Sequence, residues 1–519
     1  MQDNEAINYI KRAFELKSQE CYKQAIEMLY KALETESDNI EILYQIGELY
    51  FLLHNYDRAL QYVEKVLQIN ELHIPSLKMQ CEIYKRQGLY NEALNSANSV
   101  YKKEDSPKNL KEIIKILGKL ERVDEIEQYQ DKMDKDCLYE YALACYKNGE
   151  AEKAKKIISE NLEENEDCKI LLGKIYFDSN DLNKAREIFE SMKMSKNPEV
   201  LNYLGLFALE DMKFIDAIKC FSQASSISKN NPVYWYNLAN AYFFNGWQDE
   251  AVNSYLKAIV LDPENLDYRY SLAYLYYEMK KFDKAQKEVD IILSKDANHY
   301  QARVIKALLK LNNKDYLGAE RILEENLKAG CSDAFTLVSL GKVYNELENF
   351  DKAEKVIKSV IEQNPENINY ISDLADVYIK EKKYDEAIEL VKKVINENEK
   401  YIYGYILGAK IAYLKGDLEK TKEFAQDAIS LDINCADGYY YLALVRKSEQ
   451  DYDEAVECMK RAIMYDLNNA KYYAEMSNIY KLKDDVKTAL EYIKEAESID
   501  ESVEYKIMYK ELASLNRLK

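Results

Sequence analysis

A chain of 519 residues with 47% hydrophobic and 32% charged residues exceeds one ordinary core, so several domains or a repeat array are expected. Six prolines and 14 glycines are too few for sandwiches, long loops or disordered linkers, and point to helix. The formal charge is -20 and no basic run offers the clustered cations that phosphate binding needs, so no nucleic-acid partner is expected.

The first twenty residues, "MQDNEAINYIKRAFELKSQE", read as an amphipathic helix without the basic and apolar regions of a leader. Nowhere does the sequence hold the roughly 18 consecutive apolar residues of a membrane span, so no membrane insertion is expected. The nine cysteines are scattered and form no CxxC, which suits reduced thiols. These features together give a cytoplasmic protein as the expectation.

A period of 34 residues then runs along the chain. Ala25, Ala59 and Ala93 stand 34 apart. Ile126, Ala154 and Ala185 follow at shortened steps. From Ala217 the 34-residue step resumes through Ala251, Ala285, Ala319, Ala353, Ala387, Thr421, Ala455 and Ala489. A second marker lies twelve residues before each: Ala13, Gly47, Cys81, Ile114, Ala142, Gly173, Gly205, Ala239, Ala273, Ala307, Gly341, Ala375, Ala409, Ala443 and Ser477. The pattern defines fifteen copies, numbered here in chain order.

Between the two markers of a copy lies a turn, such as "MKKFDKA" or "LKGDLEK", whose aspartate is expected to cap the next helix. Apolar residues recur at helical spacing on both sides, as in Leu238, Tyr242 and Phe243, then Ala251, Tyr255 and Ala258. Each copy is therefore read as two antiparallel helices, with the small markers where they cross most closely. A large side chain there would overpack the crossing, at about 1–3 kcal/mol. One such pair cannot bury its apolar face alone, and stacking on the next pair gives an all-α solenoid. The last stretch is expected to be a capping helix, with Val503, Ile507, Leu512, Leu515 and Leu518 on its apolar side.

The stretch Trp235–x2–Leu238–Ala239–x2–Tyr242, then Ala251–x3–Tyr255 and Pro263, resembles the tetratricopeptide-repeat signature. The resemblance covers nearly the whole chain. It implies a right-handed superhelix of antiparallel helix pairs and a scaffold that holds a protein or peptide in its concave groove. It also implies that repeat positions 2, 5, 9, 12 and 13, all on the first helix, face that groove. In copy 8 these are Val233, Tyr236, Asn240, Phe243 and Phe244, and in copy 9 they include Tyr270, Tyr274 and Tyr277. The three tyrosines also share a helix face by their i, i+4, i+7 spacing. Leu206 and Leu209 join them from copy 7, and Val304, Leu308 and Leu311 from copy 10. With Asn237, at the position-6 asparagine of some relatives, these form the candidate groove. The same residues could instead pack on neighbouring first helices.

The chaperone-tail clamp of some family members is not expected. Position 5 is lysine only at Lys78 and Lys111, and Glu82 and Lys115 stand where the clamp needs asparagine.

The marker spacings of 33, 28, 31 and 32 set copies 4–6 apart. The expected organisation is residues 1–105 as repeats 1–3, 106–198 as irregular repeats 4–6, 199–501 as regular repeats 7–15, and 502–519 as the cap. Shortened copies should rotate differently on their neighbours and bend the superhelix, unless loops absorb the shortfall.

No catalytic constellation stands out. His54, His73 and His299 have no His or Cys at metal-ligand spacing, and the usual nucleotide, zinc-protease and hydrolase motifs are missing. The sequence reads as a non-enzymatic scaffold, with no cofactor or metal expected. Two alternatives remain open at this level: a peptide-sensing regulator, and a targeting arm for a separately encoded enzyme.

Overall fold

The structure is a computed structural model that describes residues 2–161, 165–500 and 502–518. Within each of two units its helices pair into antiparallel hairpins, and the chain ends in a further helix, Val503–Leu518, with no strand among the described residues. By packing, the chain divides into two compact units, Met1–Trp247 and Gln248–Lys519.

The turns explain why the hairpins form so regularly. In every copy the residue before the second helix's N-cap adopts a left-handed conformation. It is glycine at Gly88, Gly149, Gly246 and Gly416, and another residue in the other eleven copies, such as His54, Lys280 and Lys382. The following amide then reaches back to a carbonyl in the last turn of the first helix. The Lys281 amide donates to the Tyr276 carbonyl at 2.8 Å, and the Lys383 amide to that of Tyr378 at 2.8 Å. This Schellman closure satisfies carbonyls that a helix end would otherwise leave unpaired.

Capping meets the sequence expectation at Asp417 of "LKGDLEK" but differs from it in turns such as "MKKFDKA". The aspartate two residues before the marker, as at Asp283, Asp351, Asp385 and Asp453, lies inside the first turn of the second helix. There it complements the helix dipole. The capping side chain comes from the residue four before the marker. Asn55, Asp181, Asp315, Asp417, Asp451 and Asp485 each accept an amide hydrogen there. First helices are capped by asparagines such as Asn39, Asn197, Asn231 and Asn265.

The markers are the core. All fifteen markers of the first series, from Ala25 to Ala489, have 0% exposure, including Ile126 and Thr421. At Gly341 an added Cβ would lie 2.6 Å from Cγ1 of Ile357, and at Gly205 2.6 Å from the Phe221 ring. The first helix of each pair thus sits against a large residue of the second helix, and the small marker makes room for it.

The irregularity of copies 4–6 falls on the second helices. First helices keep 13 residues throughout copies 2–15. The second element is a 3-10 helix of 10 residues in copy 4 and an α-helix of 10 residues in copy 6, and in copy 5 it is described over Ala151–Asn161.

Within each unit, consecutive first helices pack on one another as well as on their partners, whereas consecutive second helices do not pack to a comparable extent. The first helices therefore line the inner face. Within Gln248–Lys519 two ion pairs link distant copies. Lys280 in the turn of copy 9 meets Asp466 after copy 14 at 3.3 Å, and Lys314 in the turn of copy 10 meets Asp500 after copy 15 at 3.3 Å.

The C-terminal helix turns a different face inward from the one expected. Leu512 is buried, with Tyr505, Met508 and Tyr509 packed around it. Val503, Ile507 and Leu515 are exposed, and the Leu518 side chain lies outside the described residues. The apolar residues of this helix run around more of its circumference than the sequence pattern suggested.

Candidate functional site

The candidate groove residues divide between the two units. In Met1–Trp247, Leu206 and Leu209 are half-buried and pack on a cluster that includes Ile218, Phe221 and Leu238. Tyr236, Asn240 and Phe243 are half-buried. Asn237 is buried, and its Nδ2 donates to Oδ1 of Asn202 at 2.8 Å. It ties adjacent first helices together and offers no surface, so its place in the groove is corrected to the core. The apolar surface of copy 8 lies instead at Val233, 42% exposed, and Phe244, 57% exposed and stacked on Phe214 at 6.0 Å. Trp235 is half-buried and donates through Nε1 to the Lys229 carbonyl at 2.9 Å, while Trp247 stacks on Tyr242 in the turn.

In Gln248–Lys519, Tyr270, Tyr274 and Tyr277 are half-buried along one face of the helix Leu266–Glu278. Tyr270 lies 6.1 Å from His299 and Tyr277 5.8 Å from Phe282. Tyr274 meets Phe335 of copy 11 edge to face at 5.9 Å. That contact links copies 9 and 11. A second correction concerns copy 10: Val304 and Leu308 are buried in a core cluster against which Phe335 and Tyr277 pack, and of that copy's three candidate residues only Leu311 is partly exposed. Burial, reinforced by Glu278, raises the Tyr274 and Tyr277 hydroxyls above their usual range.

The inner face holds further features that the four-copy reading missed. In copies 12 and 13, Asp376 accepts from the Tyr403 hydroxyl at 2.5 Å and pairs with Lys410 at 2.8 Å. Tyr403 is 42% exposed, and burial with Asp376 beside it holds its hydroxyl far above the usual range. In copies 14 and 15, Asp437 accepts from Tyr472 at 2.7 Å, and Lys471 lies 4.1 Å over the Tyr440 ring. Lys471 reaches water, yet the protein around it desolvates the ammonium and lowers its pKa. Tyr403, Asp376, Lys410, Asp437, Tyr440 and Lys471 all stand at positions 2, 5 or 9, so extending the count to every copy finds them.

In Met1–Trp247 the inner face of copies 3–5 opens into two adjoining cavities of about 460 and about 650 Å³. Both are lined by first-helix residues, notably Lys85, Glu112 and Lys115.

The histidines serve as local structure. His73 and His299 precede first helices, His73 Nδ1 lying 2.8 Å from Ser76 Oγ and His299 Nδ1 accepting from the Ala302 amide at 3.2 Å. His54 occupies a left-handed turn position. Among the described residues no group of three or more His, Cys, Asp or Glu could hold a metal ion. No helix of the described residues is long and apolar enough to cross a membrane.

Helix hairpins stacked by their first helices define an all-α solenoid. Its sequence matches several tetratricopeptide-repeat family models. That described as Psidin, N-terminal TPR repeats region, matches residues 267–429, and other TPR models match 16–79, 245–280, 436–469 and 470–503. The chain is a tetratricopeptide-repeat protein. It is 23% identical over 411 residues to a TPR repeat-containing protein of Methanocaldococcus jannaschii, covering 67% of this chain and 68% of that one. Among solved structures, the Cut9–Hcn1 hetero-tetramer of the APC/C matches 96% of this chain and 95% of its own at 13% identity, with a TM-score of 0.45. Yeast Tom70 matches 87% of this chain and 100% of its own at 16% identity, with a TM-score of 0.34. A tetratricopeptide repeat protein of Parabacteroides merdae matches 48% of this chain and 99% of its own at 21% identity, with a TM-score of 0.40.

Proposed function

We propose that this chain is a non-enzymatic, cytoplasmic scaffold that holds a partner peptide or helix against the inner face of its first helices. Tetratricopeptide repeats generally serve protein interaction, and the inner face offers the means for it. The observation that carries the reading is apolar surface left open at groove positions. Val233, Phe244 and Tyr403 are each more than 40% exposed, although every marker of the Ala25 to Ala489 series is sealed. Exposed aromatic rings give contact area at low entropy cost. Of the candidate residues, Leu206, Leu209, Tyr236, Asn240 and Phe243 of the first unit and Tyr270, Tyr274, Tyr277 and Leu311 of the second retain some exposure and stay in the proposal, each set on the inner face of its own unit.

The test is affinity purification from the native cell, repeated with Tyr270→Ala combined with Tyr274→Ala. A stable protein partner lost from the variant, with helicity unchanged, supports the scaffold. A bound short peptide points to a sensor, and a co-purifying enzyme to a targeting arm. Undiminished capture by the variant rejects the tyrosine face as the site.

A further inference from the structure

The inner wall of copies 3–5 carries charge of the opposite sign to the chain as a whole. The first helix of copy 4, Pro107–Lys119, places Lys108, Lys111, Lys115 and Lys119 three, four and four residues apart, on one face. The larger cavity over it is lined by five cations and four carboxylates, and the smaller by five cations and three carboxylates. The formal charge of the chain is -20.

The carboxylates of this wall are already engaged. Glu112 pairs with Lys85 at 2.5 Å, and Glu82 with Lys85 at 2.7 Å and Arg86 at 3.0 Å. Glu140 pairs with Lys115 at 3.3 Å and Asp136 with Lys111 at 3.1 Å. Asp134 caps the next helix by accepting from the Cys137 amide. By contrast, Lys108, Lys119 and Lys147 line the cavities and form no ion pair among the described residues. Gly118 brings the helices of copies 4 and 5 together, since a Cβ there would lie 2.8 Å from that of Ala144. Lys119 and Lys147 consequently line one cavity, beside the apolar flank of Leu143 and Tyr90.

We propose that this wall binds an acidic peptide segment, whose side-chain carboxylates pair with Lys108, Lys119 and Lys147 while its apolar side chains lie against Leu143 and Tyr90. The proposal rests on the inner face being the docking surface and names the partner chemistry at one part of it. The wall lacks the asparagines that hold a terminal carboxylate, so an internal stretch of Asp or Glu suffices. A nucleic acid fits less well, because its evenly spaced phosphates would meet the engaged carboxylates between the lysines.

The test uses the full chain and three labelled peptides of one length: alternating Glu and Leu, the same with Gln for Glu, and the same with Lys for Glu. A labelled oligouridylate forms a fourth arm. Anisotropy should show the Glu peptide binding about tenfold or more tighter than the Gln peptide, weakening with added salt, and the Lys peptide weakest. Lys119→Glu with Lys147→Glu should lose that preference at unchanged melting temperature. Lys119→Gln with Lys147→Gln should lose it in part, and Tyr270→Ala with Tyr274→Ala should keep it. Equal binding of the three peptides, if still reduced in the lysine variants, leaves the docking surface standing and overturns the acidic selection. Binding that the lysine variants do not change, no binding of the Glu peptide, or tighter binding of the oligouridylate also overturns it.

Discussion

The inner faces of copies 3–5 and copies 9–11 use the same repeat positions for different ends. In copies 3 and 4 those positions hold mostly long charged side chains, beside which two cavities of about 460 and 650 Å³ stay open. In copies 9–11 positions 5, 9 and 12 hold mostly rings and branched residues, several of which close over one another. Tyr274 reaches Phe335 across copy 10, and Val304 and Leu308 join the core. Side-chain chemistry at five positions thus decides whether a repeat offers a surface or consumes it. A charged wall stays open because its groups keep water, while an apolar wall closes wherever neighbouring rings can meet.

The largest expected effect comes from breaking the packing behind the closed wall. Gly341→Leu drives a side chain into Ile357, 2.6 Å from where its Cβ would stand, and the overpacking should cost about 1–3 kcal/mol or more. A fall of several degrees in the thermal melt checks it. An unchanged melt would mean that the crossing is not tight. At Gly118 the contact is the Ala144 Cβ at 2.8 Å, which cannot turn aside, but Gly118→Ala adds a single methyl and should cost less than Gly341→Leu.

The opposite direction is open at the turns. Lys382 holds a left-handed conformation, φ 66°, that costs a side-chain-bearing residue about 1 kcal/mol. Lys382→Gly should therefore raise the melting temperature by a few degrees at most, a change that glycine's greater freedom in the unfolded chain partly offsets.

Much of this was readable in the sequence, and the misses have physical causes. The hairpins were legible because a closely crossing pair tolerates few side chains, so Ala251 and its equivalents recur at fixed spacing. The caps were misassigned because a left-handed residue shifts the helix start two residues earlier than Asp283 suggests. Val304 and Leu308 look like groove residues by position alone. They are buried in a core cluster that reaches from copy 10 into copies 11 and 12, a long-range packing no local pattern encodes. The cationic wall was missed because its lysines lie three or four residues apart on a helix rather than in a run.

Cysteines offer a smaller contrast along the first unit. Burial pushes the thiols of Cys137 and Cys145 up to about 12 and those of Cys81 and Cys168 to about 11, while Cys21 is exposed. The folded state therefore keeps these protons to higher pH than the unfolded chain, whose thiols ionise near 9. The linked stability is fully present below about pH 9 and is lost as pH rises through 11 to 12. At neutral pH a thiol reagent should label Cys21 quickly and these four only on unfolding. Alkaline melts should fall over that window.

The smallest effect concerns the two long-range ion pairs of the second unit. Lys280–Asp466 and Lys314–Asp500 have the same sequence separation of 186 residues and are displaced from each other by one repeat. Their recurrence reflects the geometry of the regular copies, because the rotation that places one pair repeats for the next. Lys280 and Lys314 are well exposed, so each pair is worth about 0–1 kcal/mol. Lys280→Glu with Lys314→Glu should leave the melting temperature nearly unchanged. It should enlarge the radius of gyration measured by small-angle scattering, because like charges then face each other where opposite ones met. High salt should shrink the difference between variant and parent by screening that repulsion. An identical radius at low salt would mean that packing of the first helices alone holds these copies together, with the ion pairs only resting on it.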